Sequence, residues 1–378
     1  MYLDYAAATP LDPRVLDAMR PYFEDKFYNP SSPYAPAVAV RREYEDAKHR
    51  LAVCIGGKGD EIIITAGATE SINLALNMPG HKVTSSIEHP AVLETIKRGE
   101  HTLVSPDEKG IIHAEAVGQA IRADTTIVSI ALANNELGTV QPLRAIAGFV
   151  ESERLRRKKN GEKTPLYFHS DASQGVGQID VHVARLGIDM ITINSGKIYG
   201  PKQVALLWAA PHVRLKNNIF GGGQERGLRS GTENVPGVMG FAKALELAVD
   251  HRNSESKRLG ELRDNLQKNL EQHFPAIIVS GYKKLRLPGH LHISFPGLDA
   301  ERLIFALEVQ DVYVATGSAC AANKGTRSHV LTAIAMPEAV ADGSLRITLG
   351  RDTTAEDIEN VSRIIREVVD KEIKRVGQ

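Results

Sequence analysis

Between Glu61 and Trp208, six short apolar or β-branched runs recur, and helical stretches separate several of them. They cover residues 61–65, 82–85, 126–132, 166–170, 188–193 and 204–208. A strand that leads into a helix returns to its sheet running in the same direction, because the helix carries the chain back across the sheet. The pattern therefore predicts an α/β fold, a mostly parallel mixed sheet with helices on both faces. Asp12-Pro13 reads as a helix start, with Asp as the N-cap and Pro at the first helical position. A helix over 38–55 follows from Val40, Tyr44, Ala47, Leu51 and Cys54, which recur at three- and four-residue steps before Gly56-Gly57 ends it.

After about Gly240 the texture changes. A long charge-rich helical stretch runs to Phe274. Then come short strands near 277–280, 291–295, 312–314 and 345–349, a helix over 300–307 and a last helix over 354–374. A chain of 378 residues exceeds a usual single core. The expected division is a large domain over 13–250 and a smaller α+β domain made of 1–12 with 251–378.

Composition narrows the function. Lysine plus arginine equals aspartate plus glutamate, 46 of each, so nothing in the charge favours nucleic acid or an anionic membrane. No apolar run approaches a membrane span, and Met1-Tyr2-Leu3-Asp4-Tyr5 is not a signal peptide. Two cysteines exclude a disulfide framework, and neither a C-x-x-C nor an H-E-x-x-H motif is present to hold a metal. A cytoplasmic protein without a metal site is expected.

Polar residues gather just past the strand-like runs, where open parallel sheets bind ligands. Asp171-Ala172-Ser173-Gln174 follows one run, and Asn194-Ser195-Gly196-Lys197 follows the next. A carboxylate and a lysine on neighbouring strand ends are what pyridoxal 5'-phosphate needs. The lysine takes the aldehyde, and the acid keeps the pyridine nitrogen protonated so that the ring accepts electrons. Ala68-Thr69 opens a helix after a strand, where free backbone N–H groups bind phosphate; taken alone, it reads as an ordinary N-cap. His89 is compatible with stacking on a ring and moving a proton, or with a surface helix start. Asn134-Asn135 offers a donor to the cofactor or to a substrate carboxylate, or simply forms a turn. Cys54 sits on an apolar helical stripe and reads as core. Cys320 sits among small and polar residues near Lys324 and Arg327, which favour a thiolate; the local sequence fits an ordinary loop thiol equally well.

Taken in order, these motifs resemble the cysteine desulfurases of the NifS/IscS type, in the class V branch of fold-type I pyridoxal phosphate enzymes. The likeness runs over nearly the whole chain, from Tyr2-Leu3-Asp4-Tyr5-Ala6-Ala7-Ala8-Thr9-Pro10 through Lys197-Ile198-Tyr199-Gly200-Pro201-Lys202 to Gly317-Ser318-Ala319-Cys320 and Arg346-Ile347-Thr348-Leu349-Gly350-Arg351. The resemblance implies that Lys197 is the Schiff-base lysine, Asp171 the partner of the ring nitrogen, Gln174 the partner of the ring oxygen and His89 the stacking residue. It implies that Ala68 and Thr69 hold the phosphate, with Asn194 beside them, and that Thr232 reaches the phosphate of a neighbouring subunit in a homodimer. Asn135 and Arg346 are implied to hold the carboxylate of L-cysteine, with Arg351 a weaker candidate, and Cys320 to accept the sulfur as a persulfide. The implied partner is a sulfur acceptor, an iron–sulfur scaffold or a thiolation enzyme. A selenocysteine lyase, another β-lyase and a non-catalytic partner-binding relic are the alternatives.

This chain departs from the family pattern at two places. Relatives carry a serine and a histidine before the lysine, where this chain has Asn194 and Gly196. A phosphate dianion with fewer donors is held less tightly, so weaker cofactor retention is expected, unless Gln224, Arg229 or the partner's Thr232 compensates. The chain also ends at Gln378, without the longer tail that housekeeping relatives use to dock their scaffold.

Overall fold

The computed structural model describes residues 1–316 and 327–377. Ten strands among the described residues form two sheets. The larger holds β1 (Ile62–Thr65), β2 (His81–Ser85), β3 (His101–Val104), β4 (Thr125–Ser129), β5 (Tyr167–Asp171), β6 (Met190–Asn194) and β7 (Ala205–Ala209), in the order β1-β7-β6-β5-β4-β2-β3. β7 pairs antiparallel with β1 and with β6, and the remaining pairs are parallel. Eight helices accompany this part of the chain: α1 (Pro13–Met19), α2 (Ala35–Ile55), α3 (Ala68–Leu76), α4 (Pro90–Ile96), α5 (Ala114–Ala120), α6 (Leu143–Lys159), α7 (Val183–Leu186) and α8 (Val235–His273). This is the mixed, mostly parallel sheet expected from the sequence.

Both faces of the sheet are buried, which is why its strands read as continuous apolar runs rather than alternating ones. Successive side chains go to opposite cores. Ile62 and Ile64 join one core with Val128, Phe168, Ile191 and Ile193. Ile63 joins the other with Ile127, Tyr167, Met190 and Leu207. α1 starts as expected, with the Asp12 carboxylate accepting from the Arg14 N–H at 2.9 Å. α2 begins three residues before the expected start at 38 and ends on Gly56, whose φ of 75° is the left-handed conformation glycine adopts most easily.

The smaller sheet, in the order β10-β9-β8, contains β8 (Ile278–Val279), β9 (His290–Ser294) and β10 (Ser344–Thr348). Its apolar face, including Leu291, Ile293, Leu345 and Ile347, packs on α9 (Ala300–Glu308), the second half of α8 and the C-terminal helix Ala355–Val376. Leu3 lies in the same core, and Asp4 bridges to Thr348. The strand expected over 312–314 is reduced to single bridges, Tyr2 with Tyr313 and Ala315 with Arg346.

The opposite face of this sheet is polar yet buried: His290, His292, Ser294, Ser344, Arg346 and Thr348. The imidazoles of His290 and His292 have no hydrogen-bond partner among the described residues. Burial, followed by the nearby Arg346 charge, pushes His290 down to about 3 and His292 down to about 4. Burial likewise pushes His169 down to about 4, where Ser129 and Thr192 bond its ring. An unfolded histidine titrates near 6.5, so below that pH the unfolded chain binds the extra protons. Stability is therefore full above about pH 6.5 and falls as pH drops toward 4. Each histidine contributes roughly 2 kcal/mol to the loss between pH 7 and 5. Glu88 acts in the opposite sense. Burial pushes its carboxyl up to about 7, so the stabilisation it gives is present at low pH and lost as pH rises through 7, and it offsets about one histidine. The denaturant midpoint should be lower at pH 5 than at pH 7.5, and His292→Asn should narrow the gap. Equal gaps in variant and wild type would remove His292 from the account.

Candidate active site

A cleft of about 1540 Å³ opens along the carboxyl ends of the central strands and runs on beside α3. Local chain geometry brings its residues together. β5 ends in Asp171, whose Oδ1 accepts from the Ser173 N–H at 3.0 Å and so is fixed at the strand end. The neighbouring strand β6 ends in Asn194 and passes into a tight turn over Ser195–Lys197. The Asn194 Oδ1 caps that turn by accepting from the Gly196 N–H at 3.0 Å. The Lys197 Nζ then projects to the N-terminal segment, donating to the carbonyls of Ala6 at 2.7 Å and Ala7 at 2.6 Å. Gln174 donates to the same Ala6 carbonyl at 3.1 Å.

His89 caps α4, and its Nδ1 accepts from the Ala91 N–H at 3.0 Å. That bond fixes the tautomer with hydrogen on Nε2. Burial holds its basicity below the ordinary histidine value, and Lys197 and His329 push the same way; Asp171 opposes them. A neutral imidazole therefore faces the cleft. Glu88, next to it, is buried between β2 and β4, accepting from Ser85 Oγ at 2.8 Å and the Ala131 N–H at 3.0 Å.

The two asparagines divide the work that the sequence left open. Asn134 builds the turn: its Oδ1 accepts from the N–H groups of Glu136 and Leu137, both at 2.9 Å, and its amide donates to Ile87. Asn135 lines the cleft, and so does Arg346. Arg346 is buried on β10, where one Nη donates to the Asp4 carboxylate at 2.6 Å and the other to the Asn135 carbonyl at 3.1 Å. Arg351 stays out of this cleft. It pairs with Asp12 and stacks on Tyr199, 4.2 Å from the ring centre.

At the other end, α3 points its first turn into the cleft through Gly67, Ala68 and Thr69. The first N–H groups of a helix have no acceptor within it, and the helix dipole adds positive potential there. Glu70, in that turn, has both carboxylate oxygens engaged, one by the Ala66 N–H at 3.1 Å and one by Arg229 Nε at 2.9 Å. Arg229 is thus committed to Glu70, and Gln224 accepts from the Gly231 N–H at 2.9 Å. Thr232 is exposed and does not line the cleft of its own chain.

Cys320 lies outside the described residues. The chain on either side is tied to the residues just described. Ala315 exchanges backbone hydrogen bonds with Arg346. Beyond the segment, Ser328 donates to the buried Glu136, and Arg327 pairs with Asp342. Asp4, Glu88 and Lys202 also belong to this arrangement, although the motifs that contain or adjoin them assign them no role. Asp4 stood inside the Tyr2–Pro10 motif, and Glu88 stood beside His89, so position within those motifs was the available signal.

A sheet of this order, with an acid and an amine on adjacent strand ends facing an anion-ready helix, has the architecture of the fold-type I transferases. The aminotransferase class-V family model matches residues 1–361. The cysteine desulfurase IscS of Dictyoglomus turgidum is 39% identical over 384 residues, covering 98% of this chain and 95% of that one. The cysteine desulfurase IscS 1 of Archaeoglobus fulgidus is 38% identical over 386 residues, covering 98% and 97%. A solved NifS-like protein from Rickettsia africae matches with a TM-score of 0.86 at 30% identity, covering 98% of this chain and 99% of that one. The chain belongs to the class-V aminotransferase family, on its cysteine desulfurase branch.

Proposed function

We propose that this protein is a pyridoxal 5'-phosphate-dependent cysteine desulfurase that converts L-cysteine to L-alanine and passes the sulfur to Cys320 as a persulfide. The observation that carries the reading is the convergence of Asp171, Lys197, His89 and Arg346 on one cleft from separate strand ends and loops.

The donor set fits the cofactor. The cleft has room for a phosphorylated pyridine, and a Cβ built on Gly67 would meet nothing within 4 Å, so the approach to the first turn of α3 is open. Ala68 and Thr69 would hold the phosphate, Asp171 the ring nitrogen, Gln174 the ring oxygen, and His89 would cover the ring. When bound, pyridoxal phosphate supplies a carbonyl for the substrate amine and a ring that accepts electrons. The rest falls to the chain itself. Arg346 and Asn135 orient the substrate carboxylate, and Asp4 holds the guanidinium in place. Lys197 Nζ takes the proton from the substrate Cα. The Cys320 thiolate attacks the substrate sulfur. One S–S bond forms, one C–S bond breaks, the β-carbon left behind gains a proton, and Lys197 returns a proton to Cα, giving alanine.

The exposed position of Thr232, away from its own cleft, supports a homodimer in which that residue serves the neighbouring subunit. Among the described residues no helix is long and apolar enough to cross a membrane. We take the working division as a large domain over 13–250 and a small one over 1–12 with 251–378, in the cytoplasm, with an iron–sulfur scaffold or a thiolation enzyme as the final sulfur acceptor.

The test is product analysis with L-cysteine and no added thiol. Alanine should form in step with protein-bound persulfide and then stop, and added thiol should restart it by releasing sulfide. Continuous release of sulfide with pyruvate and ammonia would instead identify a β-eliminating lyase.

A further inference from the structure

Gly196 leaves space beside the catalytic turn, and Lys202 is the side chain next to that space. A Cβ built on Gly196 would touch nothing closer than Lys202 Cγ at 3.5 Å and Asn194 Oδ1 at 3.6 Å. Residue 196 thus has no side chain at the anion-binding end of the cleft, and the aliphatic stem of Lys202 lies next to it. Both residues line the cleft that also holds Ala68 and Thr69.

The path of the chain explains the juxtaposition. β7 runs back antiparallel along β6, with Asn194 opposite Ala205, so the connection must reverse within a few residues. Two non-glycine residues adopt left-handed conformations to do this, Tyr199 with φ of 63° and Gln203 with φ of 60°. Between them Gly200 packs so closely that a Cβ would lie 2.1 Å from Ser195 Oγ. Strained backbone of this kind persists where the surroundings over-determine it, and it is common at ligand clamps. Here it carries Lys202 back over the turn that presents Lys197.

Charge points the same way. Arg229 is taken up by Glu70 and Arg346 by Asp4. Lys202 is exposed and forms no ion pair among the described residues. Lys202 lines the same cleft as the first turn of α3, and an ammonium complements a dianion held on those N–H groups.

We propose that Lys202 is the cation of the phosphate subsite and makes up for the imidazole that Gly196 lacks. This rests on the pyridoxal phosphate reading above and predicts the opposite of the weak cofactor retention expected from Asn194 and Gly196. Full-length protein is stripped of cofactor and titrated with pyridoxal phosphate and, separately, with pyridoxal, which has the same ring and aldehyde but no phosphate. Binding is read by absorbance and equilibrium dialysis rather than by turnover. Lys202→Met should weaken pyridoxal phosphate roughly tenfold to a hundredfold, the loss of one hydrogen bond to a charged group. Its affinity for pyridoxal should be unchanged, and Lys202→Arg should stay within a few-fold of wild type for both. Equal binding of pyridoxal phosphate by wild type and Lys202→Met overturns the proposal. So does an equal loss for both ligands, which would mean that Lys202 acts through the fold rather than on the phosphate. If wild type binds neither ligand, the cofactor reading itself falls, and the proposal with it.

Discussion

Lys197→Ala is expected to keep its fold, to bind pyridoxal phosphate, and to form alanine roughly 10² to 10⁴ times more slowly than wild type, the usual contribution of a positioned general base. The structure makes the loss specific. The Nζ reaches past the end of β6 to the Ala6 and Ala7 carbonyls, and only a side chain of this length and charge spans that distance. The residue is partly exposed at the cleft wall and belongs to none of the three apolar cores, so truncation should cost little stability. The control is thermal unfolding, which should change little, measured beside alanine production. Turnover near the wild-type rate would remove Lys197 from the chemistry.

The second large effect concerns the two thiols. Cys320→Ser should consume no more than trace L-cysteine and accumulate no persulfide, while Cys54→Ser should retain nearly full activity. Cys54 is ruled out as the nucleophile on physical grounds. Burial, then the carboxylates of Glu246 and Asp250, push its thiol up to about 12, so almost none is thiolate near neutral pH. The chain flanking Cys320 is pinned on one side to Arg346 and on the other to Glu136, next to Asn135. Arg346, proposed to grip the substrate carboxylate, therefore also anchors the chain before the cysteine, and Glu136, the neighbour of Asn135, anchors the chain after it. Mass spectrometry after one turnover locates the extra sulfur, and finding it on Cys54 would sink the assignment.

Local signals made much of this legible. β5 and β6 are buried on both faces, so their apolar runs stood out, and Asp171 and Lys197 fell where those runs stop. α2 announced itself through its stripe. β3 did not, because it is an edge strand with only Val104 buried, and its His-Thr start looks like a turn. The antiparallel direction of β7 was equally hidden: Ala205–Ala209 is buried throughout, and burial carries no information about strand direction. Pairings distant in sequence were out of reach for the same reason. Asp4 and Arg346 lie 342 residues apart, and nothing local marks one as the other's partner. Even the missing histidine at position 196 could be read only as a loss. That Lys202 lies over the gap depends on two left-handed residues with side chains, which sequence patterns do not anticipate.

Helix α8 runs unbroken for 39 residues, about 58 Å at the usual rise. Its first half buries Val238, Phe241 and Leu245 in the core of the large sheet, and its second half buries Leu262, Leu266 and Leu270 in the core of the small one. One rod thus serves as a beam shared by both. A continuous helix has no cheap joint at its middle, so any movement of one sheet against the other bends or tilts the beam instead of swinging on a hinge. The cleft should accordingly tighten by small shears, and heat should melt both cores in a single step.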